Sequence, residues 1–399
     1  MFPAFYQTTL RAHLNESQYL TLQLLLLLLQ AHRQVKLSLL ASVFPQPIQY
    51  QSRKRNLQRF LVLPQLSVKL LWFPLIKYWM RQAQTGRNLN RDQRRRLSKL
   101  QHQRYGYWLI VMDRSQWKER NVFMVSLVWG THALPVYWEL LEQVGNSDLN
   151  AQKRLLKVVL PLFKNYRVLV LGDREFHSPK LAQWLDQRGV SFALRQKKDC
   201  HFQQAEQEDY QVLKHLGFKP GMSKFYQGIR CNQGDGIGPF NLAIYWRRKY
   251  NNAGAKEPWY ILTNLPTLKQ ALAVYRCRWR IEEMFRDFKG GGYHLAATNV
   301  EGDRLIALVL LIAIAYTAAT MNGQKIKRWG IEKYVGRVKE ADRTEPRHSH
   351  FYIGLYGQTW VQFMAPYAEI VAELLQLSPH KQPYYRKGMR AMRLIQSAL

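Results

Sequence analysis

Cysteine and acidic residues are both scarce in this chain of 399 residues: three Cys, and 27 Asp and Glu against 59 Lys and Arg. Cys200, Cys231 and Cys277 are odd in number and never in CxxC spacing. That excludes a disulfide framework or a zinc knuckle and leaves reduced thiols. The shortage of acids produces a formal net charge of +32, well beyond what solubility requires. Basic residues are spread along the whole chain rather than set beside one apolar segment, so nucleic acid is the expected polyanion and an anionic membrane surface is not. Long hydrophobic runs are few. Leu24–Leu29 is too short to span a bilayer and lacks a small-residue cleavage site. Leu305–Met321 is long enough, but it is Ala-rich and closely preceded by Glu301, Asp303 and Arg304. It reads as a helix buried against a sheet, and no membrane partner is expected.

What is present has a clear order. Residues 1–100 read as a mostly helical, basic region with Leu-rich segments (Tyr19–Gln30, Leu37–Val43). Its basic runs, SRKRNLQRF at 52–60 and NRDQRRRLSKLQ at 90–101, are expected to contact phosphates. The pattern then changes. Tyr107–Met112, Asn121–Trp129 and Ala133–Leu141 read as three successive strands, with GTH as a turn. A helix over Asp148–Phe163, a strand over Tyr166–Leu171, a helix over Ser178–Gln187 and a strand over Val190–Leu194 follow. Three meandering strands and then alternating helix and strand is the order of a ribonuclease H-like α/β sheet. A β-rich insertion at about 197–262 completes a core spanning 101–325, and 326–399 is a basic C-terminal region with helical character. There is no internal repeat.

Chemistry concentrates in YRCRWRIEEMFRDFK, where Tyr275, Arg278, Glu282 and Lys289 lie at offsets of three, seven and fourteen residues. On one continuous helix, which should stop at GGG (290–292), those offsets fall within an arc of about 60°. Val274, Ile281, Met284, Phe285 and Phe288 form a separate apolar stripe. Of the adjacent pair, Glu282 lies on the charged ridge, while Glu283 is turned about 100° away. Upstream, Asp113 and Asp173 each follow an apolar strand, so both are candidates for one rim of the sheet. Each is also a residue type that caps helices and forms turns. Three carboxylates gathered on one rim repel unless cations sit among them, which points to two Mg²⁺ or Mn²⁺ ions held by Asp113, Asp173 and Glu282. His177, close to a helix start, reads as a neighbour of a cap and not as a ligand.

The spacing Y-x2-R-x3-E-x6-K, the run WYILTNLPTLKQALAVYRCRWRIEEMFRDFKGG, and VMDRSQW and VLGDREF upstream resemble the YREK-signature bacterial DDE transposases. These are of the insertion-sequence-four type, the group that includes the Tn-five transposase. The resemblance covers about 105 to 325 and is densest at 259–290. It implies a ribonuclease H-like core with a β-rich insertion before the catalytic Glu. It also implies catalytic and metal-holding roles for Asp113, Asp173 and Glu282, and contacts to transposon-end phosphates by Tyr275, Arg278 and Lys289. Trp259 matches the family tryptophan that stacks on a flipped base, though as the start of WYILTN it also suits a buried strand. Trp246 and Tyr250, interleaved with Arg247, Arg248 and Lys249, form a second patch expected to touch DNA.

The implied function is cut-and-paste transposition: binding of terminal inverted repeats, metal-dependent cleavage and strand transfer. Double-stranded DNA (ends and target) would be the partner, acted on by a homodimer in a synaptic complex in the bacterial cytoplasm, at the nucleoid. The alternatives are a transposase-derived, non-catalytic DNA-binding protein, or a ribonuclease H-like nuclease without joining activity.

Overall fold

The computed structural model describes residues 4–84, 103–142, 145–205, 207–232, 234–248, 257–341 and 347–398. The basic run at 90–101, together with Lys249 and Tyr250, lies outside the described residues. The chain begins with helices α1 (Ala4–His13), α2 (Glu16–His32), α3 (Leu37–Val43) and α4 (Tyr50–Phe60). A π-helical turn (Val68–Trp72) leads into α5 (Phe73–Gln84). A reciprocal capping box starts α2. The Asn15 side chain accepts the Gln18 backbone N–H at 2.9 Å, and the Gln18 side chain accepts that of Asn15 at 3.0 Å.

Next come β1 (Gln103–Arg104), β2 (Tyr107–Trp117), β3 (Arg120–Trp129), β4 (His132–Leu140), α6 (Leu149–Val159), β5 (Val168–Gly172), α7 (Pro179–Asp186) and β6 (Ser191–Arg195). The insertion supplies β7 (His201–Gln203), β8 (Gln211–Val212), β9 (Ser223–Cys231) and β10 (Ile237–Tyr245), followed by β11 (Trp259–Thr263). All join one 11-stranded sheet in the order β4-β3-β2-β5-β6-β11-β10-β9-β7-β8, with β1 beside β2. The meander β2–β3–β4 is antiparallel, whereas β2, β5 and β6 run parallel. Every residue of β3 and β5 is buried, which explains their unbroken apolar runs. The insertion is not a separate module, because β11 pairs antiparallel with β6 and carries the sheet onward.

The sheet is followed by α8 (Leu268–Tyr275), a 3-10 turn (Arg276–Arg278), α9 (Trp279–Arg286) and a π-helical turn (Asp287–Gly291). A single regular helix was expected here. The chain stays helical, but changes pitch twice, tightening at Arg276–Arg278 and loosening at Asp287–Gly291. Then come α10 (Gly302–Arg328), α11 (His350–Met364), α12 (Ala368–Gln376) and α13 (Gln382–Ala398).

Packing groups these elements into two compact units that do not coincide with the boundaries expected near 100 and 325. One is continuous, Ile76–Arg286, and holds the sheet with α6 to α9. The other joins the chain up to Leu75 with Asp287–Leu399. In this helical unit, α10 packs against α2, α11 and α13. Its partners here are helices, where the sequence pointed to a sheet. With 83% of its most apolar window buried, α10 is long and apolar enough to cross a membrane but is the core helix of its unit. Gly323 of α10 and Gly354 of α11 lie where the two backbones touch. A Cβ on Gly323 would collide with the His350 carbonyl oxygen, and one on Gly354 with that of Ala319.

Candidate functional site

The parallel register of β2 and β5 ends at Met112 opposite Gly172, the residues just before Asp113 and Asp173. The two aspartates are therefore side by side where β5 stops. The sequence placed both at strand ends, but only Asp173 leaves its strand. Asp113 sits inside β2, which outlasts β5 because Arg114–Trp117 stay paired with β3. Gly172 must lack a side chain, since a Cβ there would press on the Cβ of Phe176. Phe176 is fully buried and stacks on Phe123 with centroids 5.6 Å apart. That packing folds the chain into the 3-10 turn Arg174–Phe176, capped by Asp173, whose Oδ1 accepts the Glu175 N–H at 2.8 Å.

Asp113 is pushed up to about 7, first by burial and then by the negative charge of Asp173, with Glu282 adding to it. The Arg114 backbone N–H, 2.8 Å from Oδ1, and the Arg278 charge act the other way. All three carboxylates thus share one electrostatic environment. Among the described residues no three acidic, His or Cys side chains converge closely enough to cage an ion. Glu282 is instead engaged by Arg278, with Nη2 to Oε1 at 2.6 Å across one helical turn. Asp113 in β2 and Asp173 just past the end of β5 are hard oxygen donors whose mutual repulsion suits a divalent cation between them. Glu282 would complete the set on leaving Arg278.

Glu175 is not part of that donor set. It binds Arg114 at 3.1 Å and accepts the Ser147 N–H and hydroxyl at 2.8 and 2.7 Å, in a largely buried network. Arg114 also reaches Asn121 and Gln116, both at 3.1 Å, so the network clamps the backbone that carries both aspartates. His177 is held below its ordinary value by burial and by Lys197, and it caps the same turn.

Tyr275 ends α8 and is buried, with its hydroxyl raised by that burial. Its ring meets Trp259 edge-on at 5.1 Å, and the Arg278 guanidinium lies 5.9 Å from its centroid. Trp259 opens β11, half-buried between Tyr245 and Tyr275. The structure thus brings Asp113, Asp173, Glu282, Tyr275, Arg278 and Trp259 into one neighbourhood. Arg247 and Arg248 are exposed, just beyond Tyr245 at the end of β10. Lys289 lies in the π-helical turn, which belongs to the helical unit.

Sequence reasoning missed Arg195. It ends β6 and is half-buried, and its side chain is 3.0 Å from Glu257, which also pairs with Arg174. Burial lowers its affinity for the proton, and Tyr275 and Arg278 are among its electrostatic neighbours. The strand-end logic that selected Asp173 would have found it. Trp279, next to Arg278 and 59% exposed, was also passed over; a large aromatic left open on α9 is its only signal.

An α/β sheet with two aspartates side by side where a parallel strand pair ends, and a glutamate on a helix near enough for its charge to be felt there, defines an acidic site. Residues 97–318 match the family model described as the transposase DDE domain, more than half of the chain, and the chain belongs to that family. It is a transposase-class protein. Among solved structures it is similar to a piggyBac transposase synaptic complex with hairpin DNA determined by cryo-EM. That match has 13% identity and a TM-score of 0.42, and covers 91% of this chain and 77% of that one. Comparison with curated proteins finds no significant match.

Proposed function

We propose that this protein is a cut-and-paste DNA transposase of the YREK, insertion-sequence-four type, acting on the inverted ends of its own element. The observation that carries the reading is the juxtaposition of Asp113 and Asp173, each just beyond the last parallel pair of β2 and β5, with the charges of Asp173 and Glu282 felt at Asp113. The order β4-β3-β2-β5-β6, antiparallel and then parallel, supports a ribonuclease H-like core. Two Mg²⁺ or Mn²⁺ ions, when bound, would supply activation of water or a 3′-hydroxyl and stabilise the leaving oxygen. Asp113 and Asp173 would hold them, and Glu282 would join after giving up Arg278. The freed Arg278 fork, with Tyr275 beside it, then faces a DNA phosphate. Trp259 would offer a ring to an unstacked base, a contribution of about 1–3 kcal/mol. Lys289, Arg247 and Arg248 would add phosphate contacts. We assign the basic residues 1–100 to DNA binding, 101–325 to catalysis, and 326–399 to a further basic region. The working form would be a homodimer that synapses two ends in the bacterial cytoplasm.

The test uses duplexes carrying the sequences that flank the coding region. Asp113→Asn, Asp173→Asn and Glu282→Gln should each abolish Mg²⁺-dependent cleavage while binding persists. Cleavage retained by any one variant removes that residue from the site, and strand-transfer products separate a transposase from a nuclease.

A further inference from the structure

Helix α4 is built on three distinct sides. Leu57 and Phe60 are buried, and Arg53 is consumed locally, donating to the carbonyls of Ala41 and Ile48, each at 2.8 Å, to tie the α3–α4 connection. Opposite them, Gln51, Ser52, Arg55, Asn56 and Arg59 are all exposed. At 100° per residue these five fall in one arc of about 140°. The helix contains no acid. Gln51, Ser52, Arg55 and Arg59 make no side-chain hydrogen bond or ion pair among the described residues, and Asn56 makes a single long one, 3.5 Å to Gln46.

The third side, Lys54 and Gln58, lines a cleft of about 460 Å³ shared with the start of α3 and the residues leading into α10. Lys36 and Arg304 face the same cleft, where Glu301 is the one carboxylate on the wall among the described residues. A basic cleft therefore adjoins a helix face made of amide, hydroxyl and guanidinium groups.

We infer that α4 is the base-reading helix of this protein, laid in the major groove of duplex DNA, with the cleft beside it gripping a backbone phosphate. The chemistry divides accordingly. Arg55 and Arg59 suit guanine edges and Gln51 and Asn56 adenine edges, whereas Lys36, Lys54 and Arg304 offer point charges and a fork with no sequence preference. A helix about 10–12 Å in diameter fits a major groove about 12 Å wide, and α4, anchored on one side and exposed on the other, offers eleven residues of length to lie in it. The inference rests on DNA being the substrate, as proposed above.

Selection of bound sequences from a pool of randomised duplexes tests it. The wild-type chain should enrich a defined motif. The double variant Arg55→Ala/Asn56→Ala should lose preference at neighbouring positions of that motif, and discrimination against a shuffled duplex should fall about ten- to a hundredfold. Non-specific affinity should change far less. Arg55→Lys keeps the charge and should still lose the base preference. Lys36→Ala/Lys54→Ala should instead weaken binding to every duplex and reduce the salt dependence by about one contact per lysine. An unchanged motif in the double variant overturns the role of α4, and an unchanged salt slope removes the cleft. A wild-type chain that binds duplexes without any motif also overturns the inference while leaving DNA as substrate. A wild-type chain that binds none defeats the proposed function itself. All substituted side chains are outside the core, and unchanged thermal unfolding of each variant checks its fold.

Discussion

The sheet unit and the helical unit solve opposite problems. In the sheet unit, the rim at the end of β5 gathers like charges at a cost, and an Arg114–Glu175–Ser147 network keeps the backbone beneath them in place. In the helical unit the centre is neutral and close-packed, with α10 and α11 touching backbone to backbone at two glycines. The first region stores electrostatic repulsion that a cation can relieve. The second maximises contact and leaves its charges outside. A rim that gathers carboxylates is expected to be destabilised in this way, and a close-packed core is not.

That contrast can be broken at several points. The largest effect should be on activity. Replacing Asp113, Asp173 or Glu282 by its amide should lower metal-dependent cleavage on the order of 10³-fold or more, at least about 4 kcal/mol of barrier. For Asp113→Asn the unfolding free energy should not fall, because the amide relieves the repulsion that raises this carboxyl; chemical denaturation checks this. Gly354→Ala in the helical unit should do the reverse, costing about 3 kcal/mol or more as the helices are forced apart. Urea unfolding followed by tryptophan fluorescence and far-UV dichroism would measure it. Equal stability with alanine would mean that α10 and α11 do not touch there.

Glu175→Ala should cost about 3 kcal/mol in the sheet unit by leaving Arg114 without its carboxylate. Divalent-ion affinity, followed by calorimetry, should persist; abolished affinity would make Glu175 a ligand. The smallest effect concerns His350, whose value burial and Lys327 push down to about 4 from an ordinary 6.5. The unfolded chain takes up that proton first as the pH falls. Stability is therefore full above 6.5 and is lost as the pH drops towards 4, on the order of 1 kcal/mol per pH unit. His350→Gln should flatten that slope in urea titrations at successive pH values.

The strands were legible because burial leaves a plain trace. β3 and β5 are covered on both faces and read as unbroken apolar runs. Asp113 and Asp173 stood out as the first charges after such runs. Less legible was anything that depends on pairing or pitch. The sequence of β11 does not say that it will pair with β6, and nothing local distinguishes a continuous helix at 275–289 from one with a 3-10 turn and a π-helical turn. The ridge of Tyr275, Arg278 and Glu282 nonetheless held together. Three residues make a full turn in the 3-10 segment, and the next four return Glu282 to Arg278 at 2.6 Å. The glycines of the α10–α11 crossing were also opaque, since a glycine in a helix reads as a weakness until the partner backbone is known.

By itself the sequence determined the α/β alternation, the basic character and the identities of the acidic and cationic side chains, because these follow from local periodicity and composition. Tertiary structure alone decided that Asp113 and Asp173 are neighbours, that Arg195 and Glu257 join their surroundings, and that both ends of the chain share one helical unit. Those facts depend on strand register and on packing between residues far apart in the chain, which no local pattern encodes.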